Sequence, residues 1–119
     1  MTYKEKTADI YAMIGQGQLL EAFDKYYADK VVMTEPRGTW EGKTDCRKHE
    51  EEFLSYVKEF HNLEVKAITS DEAKGIVMHE TVMDVTFQDG NRVQMEQVGV
   101  QRWEDDHIVH ERFYYDNAQ

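Results

Sequence analysis

Two hydrophobic periods divide the chain. Up to about residue 60 apolar side chains recur at spacings of three and four, the signature of amphipathic helices. From residue 62 they alternate, the signature of half-buried strands. Tyr3, Thr7, Ile10, Tyr11 and Ile14 predict a first helix over 2–15, with Thr2 as N-cap and Glu5 three positions on. Gly15-Gln16-Gly17 breaks it. A second helix, about 18–28, carries Leu19, Leu20, Phe23 and Tyr27 on one face. Val31-Val32-Met33 is a short β-type run, halted by Glu35-Pro36-Arg37-Gly38, and the proline pushes Glu35 towards extended geometry. A third helix, about 44–60, opens with Thr44 or Asp45 as cap and has the stripe Phe53, Tyr56, Val57 and Phe60. His49 falls one turn before Phe53 on that stripe, and Glu50, Glu51 and Glu52 read as a solvated face. Four strands follow, about 62–70, 74–88, 91–104 and 107–116, with turns at Asp71–Gly75, Asp89-Gly90 and Asp105-Asp106. Asp-Gly between two alternating runs is a strong hairpin signal.

Helices first and strands afterwards predict an α+β fold rather than an alternating α/β one. Three N-terminal helices pack on a strongly curved, mostly antiparallel sheet, a cone-shaped α+β barrel with one internal pocket. With 119 residues, no repeat, no linker and a single proline, the whole span 1–119 is expected to be one domain.

Composition narrows the function. Apolar residues make up 40% of the chain and aromatic ones 12%, enough for a core. The net charge of −10, with no basic stripe to offset it, argues against nucleic acid and against anionic membrane surfaces. The lone Cys46 allows no intrachain disulfide, and the carboxylates around it disfavour a thiolate. The N-terminal stretch lacks the apolar segment of a signal peptide, and no apolar run approaches membrane-spanning length, so a cytoplasmic setting is expected. The histidines show no metal-ligand spacing, and no phosphate loop, serine elbow or Cys/His pair is present, so neither metal nor cofactor is expected.

Tyr27-Ala28-Asp29 leading into Val31-Val32-Met33-Thr34-Glu35-Pro36, then Gly42 before the third helix, then a closing Phe113-Tyr114-Tyr115-Asp116, form an ordered set. This set resembles the nuclear transport factor 2-like superfamily, which includes ketosteroid isomerase, limonene epoxide hydrolase and the SnoaL-like polyketide cyclases. The resemblance covers nearly the whole chain. It implies a ketosteroid isomerase-like arrangement in which Tyr11 is an oxyanion donor, Tyr27 supports it and Glu35 moves the proton. The family's second oxyanion donor, an aspartate, falls at Gly99, a further supporting tyrosine falls nearest to Glu50, and the epoxide hydrolase's acidic position falls at Phe113.

Each candidate has a plainer reading. Glu35 is a general base with a raised pKa, or a turn carboxylate capping backbone amides. Tyr11 donates to an oxyanion, or is a core tyrosine bonded to a backbone carbonyl. Tyr27 reaches the pocket, or continues a helix stripe. Glu111 is a second pocket carboxylate, or pairs with Arg102 or Arg112. His79 is a pocket base, or a satisfied core histidine. Trp40, Phe53, Phe113 and Tyr115 are expected to line the substrate site. The catalytic set is thus Glu35, Tyr11 and Glu111. The function that follows is a cofactor-free isomerase, cyclase or hydratase acting on a small apolar carbonyl compound. The alternative is a non-catalytic ligand-binding or dimeric interaction domain of the same fold. Helices cover only one sheet face, so a homodimer through the other is expected.

Overall fold

A computed structural model describes residues 1–116. The elements run α1 (Tyr3–Gly15), α2 (Leu19–Tyr26), β1 (Tyr27–Glu35), β2 (Gly38–Glu41), α3 (Lys43–Tyr56), β3 (Val57–Asp71), β4 (Ile76–Phe87), β5 (Arg92–Glu104) and β6 (His107–Tyr114), with a 3₁₀ turn at Glu72–Lys74. The six strands form one sheet in the order β2-β1-β6-β5-β4-β3, in which only β1 and β6 are parallel. Three register shifts along the β3–β4 ladder, and another between β5 and β6, each insert an unpaired residue that bends the sheet. The sheet is curved but not closed, and the helices cover its concave face. This is the expected α+β cone. No helix among the described residues is long and apolar enough to cross a membrane.

α1 starts where Thr2 and Glu5 cap each other reciprocally, and Glu72 accepts from the Tyr3 and Lys4 amides at 2.8 and 3.2 Å. Those two amides are among the four that every helix start leaves unpaired, so Glu72 ties α1 to the β3–β4 turn. The buried face of α1 is Thr7, Ile10 and Tyr11. α2 buries Ala22, Phe23 and Tyr26, which join Val31, Trp103 and Ile108 in the core.

Several boundaries differ from the sequence reading. α2 ends at Tyr26, because Tyr27 already pairs with Ile108 of β6. Residues 38–41, unassigned in the sequence, form β2, an edge strand folded back on β1 by the Pro36 turn, with Trp40 opposite Met33. α3 begins at Lys43 behind Gly42 without a side-chain cap, so neither Thr44 nor Asp45 serves as one. It stops at Tyr56 rather than 60: Val57 is already extended and opens the ladder opposite Phe87. Long-range pairing outweighs the helical spacing of Val57 and Phe60. β6 ends at Tyr114, short of 116.

Candidate functional site

Alternation along β4 and β5 decides what the concave face presents. Val77, His79, Thr81, Met83 and Val85 of β4 point inward, as do Gln101 and Trp103 of β5. The narrow half of this face is filled by side chains. The wide half, with Met83, Met95 and Phe87, encloses a cavity of about 480 Å³ roofed by α1, α2 and α3. Tyr11, Tyr27, Trp40 and Phe53 stand on its wall, together with Phe113, Tyr115 and Glu35. Glu35, Arg37, His49, Glu50 and Gln97 add polar groups to this largely aromatic and aliphatic wall.

Two expected site residues do not reach the wall. His79 and Glu111 lie behind it, their side chains inaccessible. Glu111 pairs with neither Arg102 nor Arg112. It accepts a hydrogen bond from the Tyr27 hydroxyl and another from Gln101 Nε2 at 2.8 Å. Gln101 in turn accepts from Thr7 Oγ1 at 2.7 Å and from Trp103 Nε1 at 3.1 Å. A buried carboxyl must be hydrogen-bonded, and this network supplies its partners at the packed end of the cone. His79 contributes through its neighbour: its Nε2 lies 3.1 Å from the Tyr11 hydroxyl oxygen. Tyr11 therefore meets an imidazole and not a backbone carbonyl.

Gly99 explains how His79 fits. The two are partners across β4 and β5, and a Cβ on Gly99 would lie 2.3 Å from His79 Nε2. The ring occupies the space in which a side chain at 99 would begin. The place that the resemblance gives to a second oxyanion donor is filled from the neighbouring strand.

Glu35 sits at the end of β1, where the Pro36 turn fixes it in extended backbone. Its carboxylate bonds His49 Nε2 at 3.1 Å and accepts from the Tyr115 hydroxyl at 2.9 Å. Burial alone would raise its pKa, but the bonds from His49 and Tyr115 and the His49 charge outweigh burial and lower it. The expected raised carboxyl is therefore not at Glu35. The same bond raises the pKa of His49, whose ring stacks on Trp40 with centroids 3.7 Å apart. Burial, with the hydrogen bond to Glu35, lifts the Tyr115 hydroxyl to about 12.

The raised carboxyl is Glu50. It is half-buried on the cavity wall, and no hydrogen bond to it is seen among the described residues. Desolvation, reinforced by the negative charges of Glu111 and Glu35 and opposed by His49, lifts its pKa from 4.5 to about 7. Among Glu50, Glu51 and Glu52 a solvated face was the expectation, and Glu50 departs from it. The signal was present: Cys46, Glu50 and Phe53 follow the i, i+4, i+7 spacing of one helix face, and Cys46 is wholly buried. Burial raises the Cys46 thiol to about 11, which keeps it unreactive. Tyr11 and Tyr27 stay protonated, because burial and then the Glu111 charge hold both phenols well above their ordinary pKa. The cavity thus offers a carboxyl that changes charge near neutral pH beside hydroxyls that do not. Among the described residues no group of three or more His, Cys, Asp or Glu side chains is placed to hold a metal ion.

A small α+β cone with aromatic and ionisable side chains around a cavity sets the class of protein. A family model for the SnoaL-like domain matches residues 1–115, and the chain belongs to that family. A Mesorhizobium loti protein classed as a SnoaL-like polyketide cyclase is 28% identical, with a TM-score of 0.81 over 97% of this chain and 100% of that one. A nuclear transport factor 2-like protein of Burkholderia pseudomallei has 17% identity and a TM-score of 0.85, over 99% of this chain and 94% of that one. A Bacillus subtilis protein classed as an isomerase has 15% identity and a TM-score of 0.83, over 99% and 91% respectively; these last two share the fold. No curated protein sequence matches the chain significantly.

Proposed function

We propose that the chain is a cofactor-free acid–base catalyst for a small, largely apolar carbonyl compound, working as an isomerase or cyclase. One observation carries the reading: a carboxyl with a pKa of about 7, Glu50, and a phenol held protonated, Tyr11, share one apolar cavity. The general base is therefore Glu50, in place of Glu35. A base with a pKa near the working pH combines a large deprotonated fraction with useful basicity. Its carboxylate takes a proton from the carbon beside the substrate carbonyl, and the C–H electron pair moves onto the carbonyl oxygen. The Tyr11 hydroxyl donates to that oxyanion. Where a C=C bond is conjugated with the enolate, Glu50 returns the proton to the far carbon and the double bond has shifted; attack of the carbanion on a second carbonyl of the same molecule closes a ring, and the alkoxide formed takes the proton back from Glu50. His49, whose charged form the hydrogen bond to Glu35 favours, is the second acid on the wall. Glu111 supports Tyr27 and does not touch substrate. The 28% identity to a Mesorhizobium loti protein classed as a SnoaL-like polyketide cyclase supports this reading.

Exchange of α-protons for deuterium in a panel of small apolar ketones and β-diketones tests it. The wild-type chain accelerates exchange, and Glu50→Gln loses about 10²- to 10⁴-fold of that acceleration, the range for a removed general base. Tyr11→Phe loses acceleration without changing the pH midpoint. Exchange that is unaltered in Glu50→Gln contradicts the assignment.

The homodimer belongs to the same proposal. The convex sheet face carries Met78, Val98 and Tyr114 at 46%, 39% and 49% exposure, with Val100 between Met78 and Arg112. Arg102 and Arg112 lie on this face together with Glu80, so a two-fold pairing can set opposite charges against each other around an apolar centre.

A further inference from the structure

We propose that His79 is a positioning residue: it donates from Nε2 to the Tyr11 oxygen, so that the Tyr11 hydroxyl proton is free to point into the cavity. Its consequence for chemistry rests on the donor role proposed above for Tyr11. The position of the proton on the ring does not.

The two ring nitrogens of His79 have different surroundings. Nε2 has two oxygen neighbours, the Tyr11 hydroxyl at 3.1 Å and Glu111 Oε2 at 3.9 Å. Nδ1 is buried and has no hydrogen-bond partner among the described residues. A neutral imidazole carries one proton, on one nitrogen or the other. On Nδ1 it would be a buried N–H with no acceptor, which is the costlier kind of unsatisfied group; a bare lone pair there is tolerated better. On Nε2 it faces a hydroxyl oxygen and a carboxylate. The surroundings therefore place the proton on Nε2.

That placement sets the direction of the Tyr11 hydroxyl. With Nε2 unprotonated, Tyr11 would donate to His79 and have no proton left for a ligand. With Nε2 protonated, the phenol oxygen accepts from the ring and its own proton is available to an oxygen in the cavity. The same bond makes the phenol a stronger donor, because accepting a hydrogen bond polarises the O–H. Glycine at 99 is what allows it: the ring lies against the bare Cα face, and a Cβ there would sit 2.3 Å from Nε2 and 2.4 Å from Cε1. Phe113, ring centroid 6.3 Å away edge-on, borders the imidazole and helps confine it.

Nitrogen NMR of the histidine-labelled free protein, in mildly alkaline solution, reads the tautomer directly, the His79 signal being the one missing from His79→Gln. A protonated Nε2 with a bare Nδ1 is expected; a protonated Nδ1 overturns the proposal. Binding of substituted phenolates, as oxyanion probes, reads the consequence. His79→Gln keeps an N–H within reach of the Tyr11 oxygen and binds them within about threefold of wild type. His79→Leu, and Gly99→Ala by displacing the ring, weaken phenolate binding about tenfold, on the order of one charge-assisted hydrogen bond. Neutral apolar analogues of the same size bind all four proteins alike. Equal losses in His79→Gln and His79→Leu overturn the positioning role. Failure of the wild type itself to bind phenolates overturns the donor role of Tyr11 instead, and the tautomer reading separates the two failures.

Discussion

Moving the Glu50 carboxyl from water to the cavity wall raises its pKa from 4.5 to about 7, and the shift has a thermodynamic cost. Between those two values the folded chain keeps a proton that the unfolded chain releases, so stability falls as pH rises through this window and stays lower above it. The shift corresponds to about 3 kcal/mol in full. Glu50→Gln is therefore expected to flatten the profile and to be more stable than wild type above the window, by on the order of 2 kcal/mol. Urea unfolding at about pH 5 and about pH 8 measures this; a variant no more stable than wild type at the higher pH would count against a desolvated carboxyl. Glu35 and His49 behave in the opposite sense. Lowering of the Glu35 pKa stabilises the fold above 4.5, and raising of the His49 pKa stabilises it below 6.5, so their contribution is complete between these values and fades on either side. Because His49 stacks on Trp40, its titration is visible in the Trp40 emission. Glu35→Gln should shift that titration to lower pH, and an unmoved midpoint would mean that Glu35 does not hold the charge on His49. At this scale the sequence was half legible. Tyr11, Tyr27, Trp40, Phe53, Phe113 and Tyr115 were expected from helix spacing, strand alternation and resemblance, and all six line the cavity. That the raised carboxyl is Glu50 and not Glu35 was hidden, because it depends on a histidine 14 positions from Glu35 that only the fold brings within 3.1 Å.

Elements were more legible than residues, since each announces itself by a local period. The exceptions are informative. β2 carries too few residues to show alternation, and the Val57–Phe60 stretch has helical spacing but pairs with β4. The β3–β4 and β4–β5 turns each hold a glycine whose backbone is left-handed, whereas Asp105 and Asp106 take that conformation between β5 and β6. Gly90, at φ 89° in the Asp-Gly hairpin, has open space around it, whereas Gly75, at φ 67°, would put a Cβ 2.6 Å from the Trp103 carbonyl oxygen. Gly75 also accepts the Trp103 amide at 2.7 Å, so it cannot yield without breaking that bond. Gly90→Ala should cost about 1 kcal/mol, the backbone term alone, and Gly75→Ala at least about 2 kcal/mol. Equal costs in denaturant unfolding would mean that the β3–β4 turn is looser than its contact with Trp103 implies.

For the whole molecule, the cone explains why one end is packed and the other hollow. Bulges in β3 curve the sheet, the Gln101–Glu111 network closes the narrow end, and the aromatic wall opens towards Tyr56, which is 60% exposed. The convex face is the remaining apolar surface, and its proposed pairing predicts a dimer by sedimentation that Val98→Glu converts to a monomer; a monomeric wild type would rule the pairing out. Which strand face looked inward could not be read from alternation alone, because β3 changes register three times. The account stands or falls on the cavity holding a carboxyl that titrates near neutrality beside a protonated phenol. Carbon NMR of side-chain-labelled glutamate carboxyls, followed through a pH titration of wild type and Glu50→Gln, tests this most directly. One resonance with a midpoint at about 7, absent from the variant and moved by apolar ketones, is the predicted result. A Glu50 resonance that titrates with the exposed glutamates, unmoved by any ligand, would contradict it.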